Sequence, residues 1–127
     1  MNVVDSCGWL EYFANAGNAG FFAPAIQDEA HLFVPTICLY EVFKRLSQQL
    51  GKEAALEGVS RLYRGHLLEL NEAIALQAGQ LSLDYHLPLA DSVIYASAIA
   101  CEATLWTQDE HFKDLPGVKY IEKRGQV

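Results

Sequence analysis

The segment LPLADSVIYASAIACEATLWTQD, residues 87–109, consists of two apolar pieces joined by a short link. Pro88 breaks the chain before it and, with its fixed φ and missing N–H, suits the start of a helix. From about Leu89 to Cys101 the residues are mostly small or apolar, which predicts a helix buried over much of its surface. Thr104-Leu105-Trp106-Thr107 then reads as a short buried strand. An apolar helix running into a buried strand is the second half of a strand–helix–strand crossover, so the sheet that receives it should be parallel.

The same alternation extends in both directions. Val3-Val4 is a short apolar strand stopped at Asp5, followed by a helix over Gly8 to Phe13. Ala14 to Pro24, with Gly17 and Gly20, suits a loop or a short broken helix. His31 to Pro35 reads as a strand, and Thr36 to Leu50 as a helix closed by Gly51, with Leu39, Val42 or Phe43, Leu46 and Leu50 as its apolar stripe. A second helix from about Lys52 to Arg64 carries Leu56, Val59, Leu62 and Tyr63. His66 to Leu70 reads as a strand, and Asn71 can cap a helix with Ile74, Ala78 and Leu81 inward. Beyond a short segment at residues 108–115, Pro116-Gly117 turns into a last strand, Val118 to Ile121. The expectation is an α/β fold: a mostly parallel central sheet of about five strands, right-handed crossovers, and helices on both faces.

At 127 residues, roughly two-thirds of the unfolded chain's surface is expected to be buried on folding, enough for one domain over residues 1–127 and no second. The hydrophobic content of 51% argues against disorder. There are 16 acidic residues against 9 basic ones, for a formal net charge of −7. A protein that grips nucleic acid by diffuse attraction should be basic, so that class is excluded. A local basic patch, or a metal that reverses the sign of an acidic pocket, is not. Cys7, Cys38 and Cys101 have neither disulfide-framework nor CxxC spacing and read as buried reduced thiols. The amino terminus does not read as a signal peptide, and no apolar run is long enough to span a bilayer, so a cytoplasmic location without membrane contact is expected.

Ligands of open parallel sheets bind outside the carboxyl ends of the strands. Asp5 ends the first strand, Glu41 lies early in the helix after the second, Asp91 lies in the first turn of the Pro88 helix, and Asp109 follows the strand ending at Thr107. Each has an ordinary alternative: a turn residue for Asp5, a pair with Lys44 or Arg45 for Glu41, and helix-start carboxylates for Asp91 and Asp109. Independent caps would not need to fall on one sheet edge, and that convergence favours a site. Crowded carboxylates repel one another and resist desolvation, and a hard divalent cation removes the penalty. An all-oxygen set points to Mg²⁺, with Mn²⁺ as a substitute, and to metal-assisted phosphodiester hydrolysis. Setting the four acids apart leaves −3 on the rest of the molecule.

Val3-Val4-Asp5-Ser6, Glu41 on the helix opening Pro35-Thr36-Ile37, Leu87-Pro88-Leu89-Ala90-Asp91-Ser92 and Leu105-Trp106-Thr107-Gln108-Asp109 with Phe112 together resemble the motifs of PIN domains. Order, spacing and length resemble the small VapC-type toxins of bacterial toxin–antitoxin pairs. The resemblance implies a Mg²⁺-dependent endoribonuclease in which Asp5, Glu41, Asp91 and Asp109 form the catalytic metal site. It also implies that Ser6 and Thr107 orient the carboxylates or the attacking water, and that a cognate antitoxin is the partner. Cys7 stands where such proteins often have Ser or Asn. Lys44, Arg45 and Lys113 are candidate RNA contacts, whereas Arg61 and Arg64 read better as solvated helix positions. His111 reads as a solvated surface histidine, and the role of Glu110 stays open. Tyr40 and Phe43 are expected in core or dimer packing, and the apolar helices of residues 36–64 suggest a homodimer. A degenerate PIN-like binding module is the rival reading. A receiver-like regulator lacks its early acid pair and late lysine here, and an aspartyl-phosphate phosphatase would need an acid where Cys7 stands.

Overall fold

A computed structural model of the chain describes residues 1–124. In chain order the elements are β1 (Asn2–Val4), α1 (Ser6–Phe13), α2 (Ala19–Gln27), β2 (Leu32–Pro35), α3 (Thr36–Leu50), α4 (Lys52–Leu62), β3 (His66–Leu68), α5 (Glu72–Tyr85), α6 (Leu89–Ala100), β4 (Thr104–Thr107) and β5 (Val118–Tyr120). Short 3-10 turns occupy Glu29–His31 and Glu110–Phe112. The five strands form one sheet in the order β3-β2-β1-β4-β5, with every pairing parallel. This is the expected α/β fold.

β1 is the central strand, with Val3 in register with Phe33 on one side and Leu105 on the other. Neighbouring residues of a strand face opposite sides of the sheet, and Val3 and Val4 are both fully buried, so both faces are covered. Val4 and Trp106 share the face covered by α1 and α2, where the Phe21 ring packs tilted against Trp106 at 5.3 Å between centroids. On that face α1 comes so close that a Cβ on Gly8 would lie 2.6 Å from the Phe22 ring and 2.7 Å from Val4.

The helix boundaries follow local chemistry. Thr36 starts α3 directly after the β2 residue Pro35, and Gly51, at φ +90°, turns the chain into α4 in a region disfavoured for other residues. Asn71 Oδ1 accepts from Ile74 N at 2.9 Å and caps α5. Several boundaries differ from expectation, β3 for one ending at Leu68 rather than Leu70 and α4 at Leu62 rather than Arg64. α1 begins at Ser6 rather than Gly8, because the Asp5 side chain accepts from Ser6 N and starts the helix early. α2 is a continuous helix through Pro24, where a loop or broken helix was expected. Pro24 leaves the Gly20 carbonyl without its helical donor, but Gly20 is exposed and water can serve it, while Phe22, Ala25 and Ile26 are buried.

On the α3–α4 hairpin Val42, Leu46, Val59 and Leu62 are buried as expected, while the flanking positions of each stripe differ. Cys38, Val42 and Leu46 face inward on α3, and Ala55, Val59 and Leu62 on α4. Leu50, Leu56 and Tyr63, expected inside, are exposed, and so is Tyr40. Phe43 is half-buried against the core. Helical periodicity gives the angular width of an apolar face; contact with the sheet decides which edge of it is covered.

The connections out of β1 and back to β4 run to opposite sides of the central strand. That reversal opens a crevice at the carboxyl ends of β1 and β4, where a doubly wound sheet places its ligand.

Candidate metal centre

Four carboxylates from separate segments line one cleft of about 450 Å³ at this crevice: Asp5, Glu41, Asp91 and Asp109. Asp5 is the deepest. Its Oδ1 accepts from Ser6 N at 2.8 Å, and its Oδ2 accepts from Thr107 Oγ1 at 2.8 Å and Cys7 Sγ at 3.3 Å. Its own N–H extends the β1–β4 ladder to the Trp106 carbonyl. Asp5 is therefore both a helix cap and a wall of the cleft. Its ordinary structural role and its place among the acids do not exclude each other.

The other acids are held by neighbours of this centre. Ser6 Oγ donates to Glu41 Oε1 at 2.7 Å, tying α3 to the start of α1. Thr107 Oγ1, besides donating to Asp5, accepts from Asp109 N at 2.9 Å. One buried hydroxyl thus sets the distance between two of the acids. Asp109 Oδ1 accepts from His111 N at 3.0 Å, capping the 3-10 turn. Asp91 lies in the first turn of α6, and its Oδ2 is 2.9 Å from His111 Nδ1. The same nitrogen is 3.2 Å from Asp109 Oδ1.

The electrostatics follow from depth and crowding. Burial lifts the Asp5 carboxyl from its ordinary 3.8 to about 7, with the charges of Asp91 and Asp109 adding to it, despite hydrogen bonds from Thr107 and Cys7 that favour the ionised form. Burial also raises Asp91, opposed by the hydrogen bond from His111. The hydrogen bond to Asp91 raises His111 in turn, with the charge of Asp109 helping. Burial pushes the Cys7 and Cys38 thiols up, so both are neutral thiols in the metal-free protein. A carboxyl held protonated chiefly by burial, with neighbouring carboxylates adding to it, would be relieved by a cation. Among the described residues the tightest donor group is Asp91, Asp109 and His111, whose ligand atoms lie within 4.8 Å of one another. The carboxylate oxygens alone suit a hard divalent ion of the Mg²⁺/Mn²⁺ class, whereas an imidazole nitrogen from His111 among the ligands would shift the preference from Mg²⁺ toward a softer ion such as Zn²⁺ or Fe²⁺.

The placement of the remaining candidates is mixed. Ser6, Lys44 and Arg45 line the cleft, whereas Thr107 lies fully buried behind it. Lys113 does not line it. Arg61 and Arg64 point to Glu29 at 3.9 and 3.8 Å, in keeping with an ordinary surface role. Glu110 faces a neighbouring hollow with Gln108, Tyr120 and Glu122 rather than the acidic cleft. Asp5 and Glu41 line the cleft but stand outside the tight group, whose third member is His111. Read as a solvated surface residue, His111 is indeed exposed, yet its Nδ1 bridges two of the acids. The signal for it was the Asp-x-His spacing, because a capping Asp holds the second residue after it. Tyr40, expected in packing, instead lines the cleft beside Glu41.

The family model for the PIN domain matches residues 3–118. No match was found among curated proteins. Among solved structures, a toxin–antitoxin complex from Klebsiella pneumoniae is similar with a TM-score of 0.76 at 19% identity, over 94% of this chain and 96% of that one. VapBC2 from Rickettsia felis, bound to a DNA fragment from its promoter, gives 0.73 at 17% identity, over 95% and 97%. VapC20 from Mycobacterium tuberculosis, described as a toxin that cleaves the sarcin–ricin loop, gives 0.67 at 13% identity, over 82% and 85%. At these identities the likeness is one of fold.

Proposed function

The chain belongs to the PIN-domain family, and from that premise we propose that it is a Mg²⁺-dependent endoribonuclease, the toxin of a toxin–antitoxin pair. The observation that carries the reading is the convergence of Asp5, Glu41, Asp91 and Asp109 on one cleft, with Asp5 buried and raised to about 7. The descriptions of the similar structures, two toxin–antitoxin assemblies and a toxin that cleaves RNA, support it.

In this reading Asp5, Glu41, Asp91 and Asp109 hold the metal. Held there, Mg²⁺ or Mn²⁺ would supply Lewis-acid stabilisation of the phosphoryl and leaving oxygens and a lowered pKa for the attacking water. Ser6 aims Glu41, and Thr107 fixes Asp5 and the backbone of Asp109, so the carboxylates are oriented before substrate arrives. Lys44 and Arg45 supply positive charge to RNA phosphates along α3. The partner is a cognate antitoxin, the location is the cytoplasm, and the exposed Leu50, Leu56 and Tyr63 support a homodimer. Among the described residues no helix is long and apolar enough to cross a membrane.

The test is cleavage of RNA by purified protein with Mg²⁺ and with a chelator. Cleavage should require the metal and be lost in Asp5→Asn and Asp91→Asn, with circular dichroism unchanged. Undiminished cleavage in both folded variants would remove the site assignment, and metal-dependent RNA binding without cleavage would leave a binding module.

A further inference from the structure

A second hollow, of about 460 Å³, opens beside the acidic cleft, and Cys7 and Asp109 line both. That volume is within the range of sites that enclose a small molecule. The backbone around it is fixed. Gln108, buried in its wall, donates from Nε2 to Glu11 Oε1 at 3.2 Å and accepts at Oε1 from Asn18 Nδ2 at 3.0 Å. The same Asn18 nitrogen donates to the Glu122 carbonyl at 3.1 Å, and Ile121 N donates to the Thr107 carbonyl at 3.0 Å. The segment after β5 is thereby tied to the segment that carries Asp109. Three exposed charged residues line the hollow: Glu110, from the 3-10 turn, and Glu122 and Lys123, from beyond β5, with the half-buried Tyr120 beside them. Among the described residues none of the three forms an ion pair with another side chain.

Free carboxylates repel a phosphate, so the hollow suits a neutral group that presents N–H donors. Among the bases of RNA, guanine alone sets two donors side by side, N1–H and N2–H, with the acceptor O6 next to them. Carboxylate oxygens take the two donors and an ammonium serves the acceptor. Adenine and cytosine place an acceptor nitrogen beside their amino group, and uracil flanks its one N–H with two carbonyls; each of these acceptors meets a carboxylate unfavourably. We propose that this hollow reads a guanine in the nucleotide adjoining the cleaved phosphodiester. Glu110 and Glu122 accept from its N1–H and N2–H, Lys123 donates to its O6, and Tyr120 supplies an apolar wall for the ring. The inference rests on the ribonuclease reading and adds to it the base beside which RNA is cut. It gives Glu110 a part in specificity, outside the metal centre.

The test digests an RNA pool of randomised sequence with the intact protein and Mg²⁺ and maps the ends by sequencing, with Asp91→Asn as the control for contaminating nuclease. Guanine should be enriched at one position directly flanking the cut. In a defined RNA, adenine at that position should lower kcat/KM roughly 5- to 150-fold, the discrimination expected of one bidentate base contact. Inosine, which lacks the N2 amino group, should fall between the two. The double variant Glu110→Gln/Glu122→Gln should cut the adenine RNA as fast as the intact protein does and lose the advantage of guanine. Cleavage with no flanking preference, a preference for another base, or a guanine preference that survives in the double variant overturns the proposal while leaving the ribonuclease reading in place. Failure of the intact protein to cut any RNA overturns that reading, and this inference with it.

Discussion

Asp5→Asn should make the metal-free protein more stable while removing its activity. The Asp5 carboxyl is 3% exposed and raised from 3.8 to about 7 by burial first and by the nearby Asp91 and Asp109 charges. At pH 8 it is ionised in both folded and unfolded states, and the gap between the two values corresponds to about 4 kcal/mol of destabilisation. Asparagine keeps the oxygen that caps Ser6 N but turns an N–H₂ toward Thr107. That hydroxyl can accept it, but its own proton then loses its acceptor, at about 1 kcal/mol. The net gain is about 3 kcal/mol at pH 8, or roughly 10 °C in Tm for a chain of this size. The sign follows from proton uptake. Between pH 4 and 7 the folded state holds the Asp5 proton more firmly than the unfolded one, so intact protein loses stability as pH rises through that window. The advantage of the variant should therefore shrink to under about 1 kcal/mol at pH 5. Mg²⁺ at a hundred times its Kd should return about 2.7 kcal/mol to the intact protein and little to the variant. Thermal unfolding with chelator at pH 8 and pH 5, then with Mg²⁺, reads all of this. A variant less stable than the parent by the same amount at both pH values would refute the reasoning.

Other expectations follow from single contacts. Thr107→Val removes the hydroxyl that joins Asp5 to the Asp109 backbone at nearly constant volume. It should lower metal affinity about 10- to 100-fold by calorimetry and cost about 1–3 kcal/mol in urea unfolding. Gly8→Ala places a methyl 2.6 Å from the Phe22 ring, which should cost about 1–3 kcal/mol in the same assay. Any metal affinity of that variant should stay unchanged if it folds. His111→Ala removes the imidazole shared by Asp91 and Asp109. Because the His111 pKa is raised on folding, its stabilising effect is fully present below 6.5 and disappears as pH rises through the folded value. Metal-free unfolding of parent and variant should therefore differ near pH 6 and converge under alkaline conditions.

Much of the architecture was legible because local signals agreed with one another. Thr36 to Leu50 is bounded by Pro35 and Gly51, and the helix has those limits. Thr104 to Thr107 is apolar between helix and loop, and it forms β4. Parallel strands put their carboxyl ends on one edge, so Asp5, Glu41, Asp91 and Asp109 could be gathered from order alone. Depth was not legible. Nothing in Val3-Val4-Asp5-Ser6 says that Asp5 is buried while Asp109 is partly open, since that depends on how Thr107 and Cys7 close around it. Gly17 and Gly20 argued for a loop or broken helix over Ala14 to Pro24, and burial of Phe22, Ala25 and Ile26 overrode them from Ala19 on. His111 and Tyr40 look like surface and packing residues in sequence because the cleft that gives them meaning is built by segments distant in the chain.

The central claim is that these carboxylates form a divalent-metal site. Anomalous scattering from Mn²⁺ in crystals of the protein tests it most directly. A strong peak should appear inside the cleft, within about 2.0–2.4 Å of carboxylate oxygens of Asp91 and Asp109 and facing Asp5, and be lost in Asp91→Asn crystals. A well-ordered cleft without a peak at saturating Mn²⁺, or a peak that persists undiminished in Asp91→Asn, would contradict it.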